Sequence, residues 1–316
     1  MAGEDRLPET SKMQRVGFVG LGYMGHGMAT NIIGRGFPLS VLAHRKRDAV
    51  DDLVRLGAHE VNTAAELAAR SDIVILCVTG AAEVDALVRG ENGLAANEHH
   101  GLIVVDCTTS DPSTLLRLAD DYAAKGISFV DAPLGRSPRE AWKGDLSTMV
   151  GCDAALLETI RPVLSAFAST IQFVGVLGDG HRLKLVNNLI SLGYAAIYSE
   201  ALVMARKAGL STAAYDDLMR SSRMHCSFYD TFIGWALEGD ADSHQFALDA
   251  AFHTISDIVG FSQALNLRGG LASSIRDIYR HAIDAGDGNA MLPELPRSVA
   301  SANGISLLPG RERSTV

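Results

Sequence analysis

The residues with the clearest chemical meaning form a glycine pattern near the start of the chain. In VGFVGLGYMG, residues 16–25, an apolar run leads into three glycines at the G-x-G-x-x-G spacing. The first glycine permits a tight turn, the second lets backbone approach a pyrophosphate, and the third lets the next helix pack on its strand with its N-terminus toward the phosphates. Because a strand precedes the pattern and a helical run follows it, we predict a dinucleotide cradle rather than a surface turn. The predicted cofactor contacts are Gly20, Leu21, Gly22, Tyr23, Met24 and Gly25.

A lysine and an asparagine form the second candidate site, in GHRLKLVNN at residues 180–188. Lys184 and Asn188 are four residues apart on a predicted helix, so both share one face and both can touch one substrate. A lysine within an apolar helix is costly unless its charge is used, and the alternative is a snorkelling surface lysine. Asn187 points ~100° away from Asn188 and is expected to be structural.

The end of the second predicted strand indicates which nicotinamide cofactor is used. The residues there are His44, Arg45, Lys46 and Arg47, and no carboxylate precedes Asp48. An acid at this place favours NAD, whereas an arginine can stack on adenine and donate to a 2′-phosphate. We therefore predict cofactor contacts from the first three residues and NADPH/NADP rather than NAD. The alternative for Lys46 and Arg47 is a solvated helix start.

Composition limits the remaining function classes. The chain has 316 residues, 47% of them hydrophobic and 21% charged, with a net charge of −9. Such a chain is expected to form two globular domains and to be repelled by nucleic acid. The four cysteines lie far apart without a C-x-x-C pair, which indicates reduced thiols, a cytoplasmic location and no metal site. The N-terminal residues are polar, and no apolar run approaches the roughly 18 residues that span a bilayer.

The elements that must position these residues change type along the chain. Up to about residue 178, short apolar or β-branched runs alternate with helical stretches, which is typical of parallel βαβ units. From about Gly180 onward the patterns are helical, beginning with a stretch at 181–207 that is apolar on every side and therefore expected to be buried. The sequence predicts an α/β Rossmann domain at 14–178, then an all-α domain at 179–305, joined by a long interdomain helix. The predicted strands are 16–20, 39–43, 73–78, 102–107, 127–133, 146–151 and 171–174.

Four ordered motifs resemble the β-hydroxyacid dehydrogenase family, over roughly residues 14–300. This family includes 3-hydroxyisobutyrate dehydrogenase, tartronate semialdehyde reductase and, more distantly, 6-phosphogluconate dehydrogenase. The motifs are GLGYMGHGMATN, DCTTSDP at 106–112, DAPLGRS at 131–137 and GHRLKLVNN.

The resemblance implies a reductase with its site in the cleft between the two domains. Lys184 would protonate the carbonyl oxygen as hydride arrives and act as base in reverse, with burial and the oxidised nicotinamide both lowering its pKa. Asn188 would orient the reacting oxygen or the lysine. Further cofactor contacts are expected at Cys77, Val78, Thr79, Thr108 and His253.

The loop expected to hold the substrate's acid group departs from the family pattern. The family has Ser-Gly-Gly where this chain has Gly135, Arg136 and Ser137, and Thr109 completes the predicted substrate contacts. The G-R-[ST] form resembles the sulfolactaldehyde reductase branch, and arginine suits a sulfonate or phosphonate at least as well as a carboxylate. The alternative is an outward Arg136 and an ordinary semialdehyde of the 3-hydroxyisobutyrate, tartronate semialdehyde or 4-hydroxybutyrate type.

A second departure lies in the helical half. His253 and Thr254 stand where relatives often carry Lys-Asp, and His253 is expected either to reach the nicotinamide ribose or the substrate anion or to be structural. Other candidates are weaker. A pocket mouth or the core is expected for Arg223, His225, Phe228 and Phe232, and a solvent-exposed loop for His99 and His100.

The resulting prediction is an NADPH-dependent reductase of a small anionic oxo acid. The apolar surface of the long helix predicts a homodimer or homotetramer. Two rivals are an imine reductase, a class that generally lacks the lysine matched by Lys184, and a non-catalytic NADPH-binding regulator.

Overall fold

The structure is a computed structural model that describes residues 13–42, 47–99 and 101–310. Within these residues the chain forms two compact units. The first extends to Thr108 and resumes at Ser113–Gly178, and the second comprises Thr109–Pro112 and the chain from Asp179 onward. Each unit has its own apolar core.

The first unit contains a nine-stranded sheet with the order β3-β2-β1-β4-β5-β6-β8-β7, and β9 pairs with β8. Its strands are β1 (Val16–Val19), β2 (Leu39–Leu42), β3 (His59–Val61), β4 (Ile73–Leu76), β5 (Leu102–Asp106), β6 (Ile127–Asp131), β7 (Leu134–Gly135), β8 (Leu146–Gly151) and β9 (Ala168–Gly175). β1 to β6 are parallel, which confirms the Rossmann prediction. Their side chains are almost all buried because helices cover both faces of such a sheet.

The sheet is not parallel throughout, and this corrects the reading of the later strands as βαβ units. β8 runs antiparallel to both β6 and β7. Only residues 136–145 join β7 to β8, and a parallel crossover needs about a dozen or more residues. The connection between β8 and β9 contains a 14-residue helix, so it is long enough for a parallel crossover. β9 does run parallel to β8. The short strands β3 and β7 have no clear apolar pattern and were not predicted.

In the part of the chain that the structure describes, seven α-helices accompany the sheet. They are α1 (Gly25–Gly34), α2 (Arg47–Arg55), α3 (Ala64–Ala69), α4 (Ala81–Arg89), α5 (Pro112–Tyr122), α6 (Pro138–Lys143) and α7 (Ala154–Phe167). α1 begins at the third glycine of the cradle motif, as that motif predicts.

The second unit is helical in its described residues, as predicted, with one isolated β-bridge between Ala247 and Met291. Its helices are α8 (Asp179–Lys207), α9 (Thr212–Ser221), α10 (Ser227–Phe232), α11 (Gly234–Glu238), α12 (Leu248–Ala264), α13 (Leu271–Asp284) and α14 (Leu295–Ala302). α14 was missed, although the proline at its second position is a helix-start signal.

The long helix α8 is only half buried, which corrects the expectation of burial on every side. Leu185, Leu192 and Leu202 lie in the core. One face, however, exposes the side chains of Val186, Ile190, Tyr194, Ile197 and Met204. Over 18 residues its mean hydropathy reaches 1.2, so length and composition alone would allow a membrane span, although buried core helices pass the same test.

Candidate active site

The glycine cradle is fixed by close backbone contacts. Gly20 has a φ of +95°, and a Cβ there would lie 2.1 Å from the carbonyl oxygen of Cys77. A Cβ on Gly25 would lie 1.9 Å from the carbonyl oxygen of Gly20. Only glycine fits either position, so the turn between β1 and α1 is dictated by these two residues.

Gly22 has a different reason to be glycine. A Cβ built there would meet no described protein atom within 4 Å, and its φ is not in the left-handed region. Protein packing and backbone strain therefore do not require glycine at this position, whereas the close approach of a pyrophosphate does. The first turn of α1 has no acidic residue, and its N-cap residue Met24 makes no side-chain cap. The residues present thus fit a dinucleotide at this turn.

Two loops beside the cradle hold predicted cofactor contacts in place. The amide of Val78 donates to Thr108 Oγ1 at 3.3 Å, and the amide of Thr108 donates to Asp106 Oδ1 at 2.9 Å. These bonds tie the end of β4 to the end of β5. Thr79 is exposed, and its amide donates to Glu83 Oε2 at 3.1 Å.

Burial controls the ionisation of groups in these loops. It raises the pKa of Asp106 to about 7, against hydrogen bonds from Thr108 that lower it. Burial, with the nearby Asp106, raises the pKa of the Cys77 thiol to about 12. Cys77 is therefore a neutral thiol at physiological pH and not a nucleophile. All four cysteines are free.

The residues expected to choose between NAD and NADP lie outside the described part of the chain. His44, Arg45 and Lys46 are in this group, and only Arg47 can be placed. Its guanidinium bonds Asp51 at 2.7 Å and Glu60 at 2.5 Å, across the start of α2. Arg47 thus fits the alternative of a solvated helix start.

The loop predicted to bind the substrate anion follows β7. A Cβ on Gly135 would lie 2.4 Å from Ser147 Oγ. Arg136 has a φ of +75°, a left-handed conformation that costs a non-glycine residue roughly 1–2 kcal/mol. Its Nη1 contacts Asp145 Oδ1 at 2.6 Å, the Asp145 carbonyl oxygen, and Ser169 Oγ at 3.3 Å. The charge of Arg136 is therefore partly offset within the protein.

Ser137 has a structural role that sequence reasoning missed. Its hydroxyl donates to Glu140 Oε2 at 2.5 Å and its amide donates to the same atom at 3.2 Å, at the start of α6. The signal was present in the sequence as Ser-Pro-Arg-Glu, an S-x-x-E capping pattern. A substrate contact by Ser137 stays a prediction.

Lys184 and Asn188 lie on α8 in the second unit. Burial lowers the pKa of Lys184 to about 8, while the side chain remains partly accessible. Asn188 is buried. A lysine with this pKa holds its proton at neutral pH but releases it readily, as a general acid and base must.

The other candidates in the second unit differ in their surroundings. Thr109 is half-buried and belongs to this unit, whereas its neighbour Thr108 belongs to the first. The side chain of His253 is 66% exposed, with Asp249 at 3.7 Å, and Thr254 is buried. Nothing within the described residues joins His253 to Lys184 or Asn188, and its predicted cofactor contact stays a prediction.

The structure also shows the surroundings of most of the weaker candidates. Phe232 is a core residue stacked on Phe228, with ring centroids 6.0 Å apart, and His225 Nε2 lies 2.8 Å from Asp230. Arg223 is exposed. His99 is not fully exposed as expected, because its ring nitrogen bonds the Leu94 carbonyl oxygen at 2.7 Å. His100 lies outside the described residues.

Sequence reasoning also missed His244, which belongs to the same unit as Lys184. The positive charge of Lys184 contributes to lowering the pKa of His244, after burial. Its surroundings, ADSHQ, form a polar segment without periodicity, so no sequence signal marks it. Among the described residues, no group of three or more His, Cys, Asp or Glu side chains could hold a metal ion.

Comparison with known families accounts for both units. Residues 15–175 match the NAD binding domain of 6-phosphogluconate dehydrogenase. Residues 178–293 match the NAD-binding domain of NADP-dependent 3-hydroxyisobutyrate dehydrogenase. The chain belongs to the β-hydroxyacid dehydrogenase family. It is accordingly an NAD(P)-dependent oxidoreductase of the type that interconverts hydroxyl and oxo groups.

Individual relatives place the chain within this dehydrogenase family. It is 35% identical to 2-(hydroxymethyl)glutarate dehydrogenase of Eubacterium barkeri over 212 residues, 67% of this chain and 70% of the relative. It is 30% identical to 3-sulfolactaldehyde reductase of Escherichia coli over 279 residues, 87% of this chain and 92% of the relative. The solved structure of 3-hydroxyisobutyrate dehydrogenase from Salmonella typhimurium has a TM-score of 0.80 at 24% identity, covering 90% of this chain and 99% of that one.

Proposed function

We propose that this dehydrogenase is an NADPH-dependent reductase of a small anionic oxo acid, with Lys184 as its general acid and base. The observation that carries the proposal is the partly buried lysine whose pKa falls to about 8. The bound nicotinamide cofactor would supply or accept the hydride. Lys184 would donate the proton that the carbonyl oxygen needs, and in the reverse direction it would take the proton from the alcohol.

Asn188 has a positioning role in this proposal. Its amide lies one helical turn from Lys184 on the same face of α8, so both reach the same region. An amide can donate to the substrate oxygen and accept from the lysine at the same time. We expect it to orient the reacting oxygen rather than to transfer a proton.

For the substrate anion we propose that Arg136 is the recognition residue. An arginine in a left-handed conformation is costly where a glycine would be unstrained, and such outliers persist mainly where function requires them. A sulfonate or phosphonate suits the guanidinium as well as a carboxylate does. The similarity to a protein named 3-sulfolactaldehyde reductase supports the sulfonate class.

A carboxylate substrate is the alternative, and one contact favours it. Asp145 already offsets part of the charge of Arg136 through Nη1. A guanidinium held in this way has less charge to offer a distal anion, and relatives such as 2-(hydroxymethyl)glutarate dehydrogenase are named for carboxylic acids.

The substrate class can be tested by NADPH consumption with matched oxo acids that differ only in a carboxylate, sulfonate or phosphonate group. We expect Arg136→Gly to raise KM for the sulfonate or phosphonate at least about tenfold, the loss of a charge-assisted pair. Arg139→Ala, an exposed arginine three residues away on α6, is the matched control. Equal and small effects of both variants on all three compounds would contradict the role of Arg136.

We base the proposed preference for NADP on the basic residues at 44–46. Direct titration of NADPH and NADH should show tighter binding of NADPH, and Arg45→Asp should reverse the order. Unchanged affinities in that variant would contradict the proposal that these residues select NADP.

We further propose that the exposed apolar face of α8 pairs with a second copy of the chain. Val186, Ile190, Tyr194, Ile197 and Met204 are 42–71% exposed, and they recur along one side of the helix. A patch of this kind on a globular protein usually marks an interface. Light scattering should give a dimer or tetramer for the wild type and a smaller species for Ile197→Lys, and a monomeric wild type would contradict the proposal.

A further inference from the structure

Gly27 and Asn31 hold the short helix α6 against α1. These two residues are four apart on α1 and therefore share one face of that helix. A Cβ on Gly27 would lie 2.8 Å from the backbone nitrogen of Trp142 and 2.9 Å from the carbonyl carbon of Ala141. The rings of His26 and Trp142 also meet edge-on, with centroids 4.6 Å apart. Glycine thus lets the two helices approach until the Asn31 side chain reaches the backbone of α6.

Asn31 supplies hydrogen bonds that fix the C-terminal end of α6. Its Nδ2 donates to the carbonyl oxygens of Ala141 at 2.9 Å and Trp142 at 3.2 Å, and to that of Gly27 in its own helix at 2.8 Å. A helix leaves its last carbonyl groups short of donors, and a side-chain amide at this end supplies them. Because α6 has only six residues and cannot be stable alone, its position depends on contacts of this kind.

The segment that Asn31 fixes is the loop predicted to bind the substrate anion. α6 begins two residues after Arg136, and Gly144 ends it in a left-handed conformation with a φ of +68°. A Cβ on Gly144 would lie 3.1 Å from Asn31 Oδ1. Asn31 therefore lies beside the residue that leads the chain into Asp145, the partner of Arg136.

Asp145 in turn directs the guanidinium of Arg136. Its Oδ1 contacts Arg136 Nη1 at 2.6 Å and accepts from the Ser169 hydroxyl at 2.5 Å. These two partners, the Ser169 hydroxyl first, hold the pKa of the Asp145 carboxyl below its usual range, so the ion pair is intact at pH 7. Among the contacts of the described residues, those of Arg136 all use Nη1. The edge formed by Nε and Nη2, which can bind two oxygens of one anion, stays available.

We propose that Asn31 is a positioning residue for the substrate anion: it fixes the C-terminal end of α6, and thereby Asp145, so that the Nε–Nη2 edge of Arg136 keeps its orientation. This inference rests on the proposed role of Arg136. α1 also begins at the glycine cradle, and both sites lie in the first unit. One helix therefore supports the cofactor turn at its N-terminus and the anion loop along its side.

The test compares Asn31→Asp and Asn31→Ala with the control Thr30→Val. Asn31→Asp keeps the size of the side chain but places an acceptor against the carbonyl oxygens of α6, and Asn31→Ala removes the donor without this repulsion. The Thr30 hydroxyl donates to the carbonyl oxygen of His26 at 2.8 Å. Thr30→Val thus removes a side-chain bond from the same helix that does not involve α6.

Hydrogen exchange of the backbone amides at 138–145, followed by mass spectrometry, measures how firmly the loop is held and needs no turnover. In the wild type, the amides of Gly144 and Asp145 donate to carbonyl oxygens of α6 at 3.3 Å and 2.9 Å. These amides should exchange at least about tenfold faster in both Asn31 variants. Thr30→Val should exchange like the wild type.

The kinetic readout is KM for the anionic oxo acid, measured together with kcat and the dissociation constant of NADPH. Asn31→Asp should raise KM about tenfold and leave kcat and NADPH binding within about twofold of the wild type, whereas general damage to the fold would weaken both. In an Arg136→Gly background the same substitution should raise KM no further, because the residue that it positions is absent.

Unchanged exchange at 138–145 in both Asn31 variants would overturn the inference, as would an equal rise in KM with and without Arg136. Faster exchange with KM raised only in Arg136→Gly would overturn the inference and leave the role of Arg136 standing. Faster exchange with KM unchanged in the Asn31 variants and in Arg136→Gly would overturn the proposed role of Arg136 and with it this inference.

Discussion

The glycine cradle and the lysine site are built by different means. At the cradle, three glycines within six residues set the geometry, and two of them are required by backbone atoms closer than 2.2 Å to any added Cβ. At the lysine site, burial lowers the pKa of Lys184, and the charge of Lys184 contributes to lowering the pKa of His244, 60 residues further along the chain. The first site depends on local backbone shape, and the second depends on tertiary packing.

This difference has a consequence for stability. A backbone cradle adds no buried charge, whereas a partly buried lysine is held in a setting that disfavours its charged form. We therefore expect substitutions at the cradle to show which residues are needed for folding and which for cofactor binding. Substitutions at the lysine site should change the rate of catalysis without preventing folding.

The largest expected effect comes from Lys184→Met, which keeps the apolar stem and removes the charge. Without its acid, reduction should slow by about 10²–10⁴-fold, while NADPH binding changes little. The pKa of Lys184 is lower in the folded protein than in the unfolded chain, so charging it at pH 7 costs stability. The variant should therefore be more stable at pH 7, on the order of 1 kcal/mol after allowance for its partial exposure, and the gain should shrink above pH 8.

Thermal unfolding at pH 7 and pH 9, with NADPH titration, measures both effects. Lys207→Met, at the far end of the same helix, is the control. A variant that is both inactive and unable to bind NADPH would show that the loss is structural.

The next largest effect is expected at two cradle glycines, whose substitutions should change stability to different extents. Gly22→Ala meets no described atom within 4 Å, so it should fold like the wild type and bind NADPH at least about tenfold more weakly, a loss of about 1.4 kcal/mol. Gly25→Ala forces a Cβ into the Gly20 carbonyl oxygen and should lower both stability and binding. Binding by calorimetry and unfolding by denaturant distinguish the two. Equal losses of stability would contradict the separate reasons given for these glycines.

A smaller effect is expected at Asp257, in the second unit. Burial first, and then the charge of Asp111, raise the pKa of Asp257 to about 6, against the opposing effect of His253. Its folded pKa lies above the unfolded value of about 3.9, so its contribution to stability is present below pH 4 and is lost as the pH rises through 6. Asp257→Asn should raise the free energy of unfolding by about 1 kcal/mol at pH 7 and leave it unchanged at pH 4. The same gain at both pH values would contradict this assignment.

The smallest effect concerns Ser137, where a capping contact and a predicted substrate contact fall on one residue. Ser137→Ala removes the hydroxyl bond to Glu140 and should cost about 1 kcal/mol of stability. If Ser137 also binds the substrate, KM should rise in Ser137→Ala but not in Glu140→Ala, which removes the same capping contact and keeps the Ser137 hydroxyl. A KM unchanged in both would leave Ser137 with the capping role alone.

The sequence predicts the features that depend on local backbone patterns better than those that depend on tertiary packing. The strands β1, β2, β4, β5 and β6 carry mainly apolar runs, and the cradle motif is contiguous, so both were predictable from local patterns. The antiparallel placement of β8 was not, because an apolar run does not encode strand direction. The short connection of ten residues before it gave no usable signal, because β7 itself was not predicted.

At the lysine site, helical spacing made Lys184 and Asn188 candidates, but the sequence did not predict their surroundings. His244 lies in a polar turn without periodicity, so nothing in the local sequence indicates that the charge of Lys184 affects its pKa. The expectation that α8 is buried on every side was wrong because its composition does not show which face is covered. Arg136 was singled out because it departs from the family pattern, but its contact with Asp145 depends on the hairpin between β7 and β8.

The most direct test of the account is the pH dependence of kcat/KM in both directions, measured with the best oxo acid and its alcohol. If Lys184 is the general acid and base, reduction should fall and alcohol oxidation should rise through the same pKa, near 8. In Lys184→Met, neither the fall in reduction nor the rise in alcohol oxidation should remain. Two profiles that change in the same direction, or a wild-type profile retained in Lys184→Met, would contradict the assignment of Lys184.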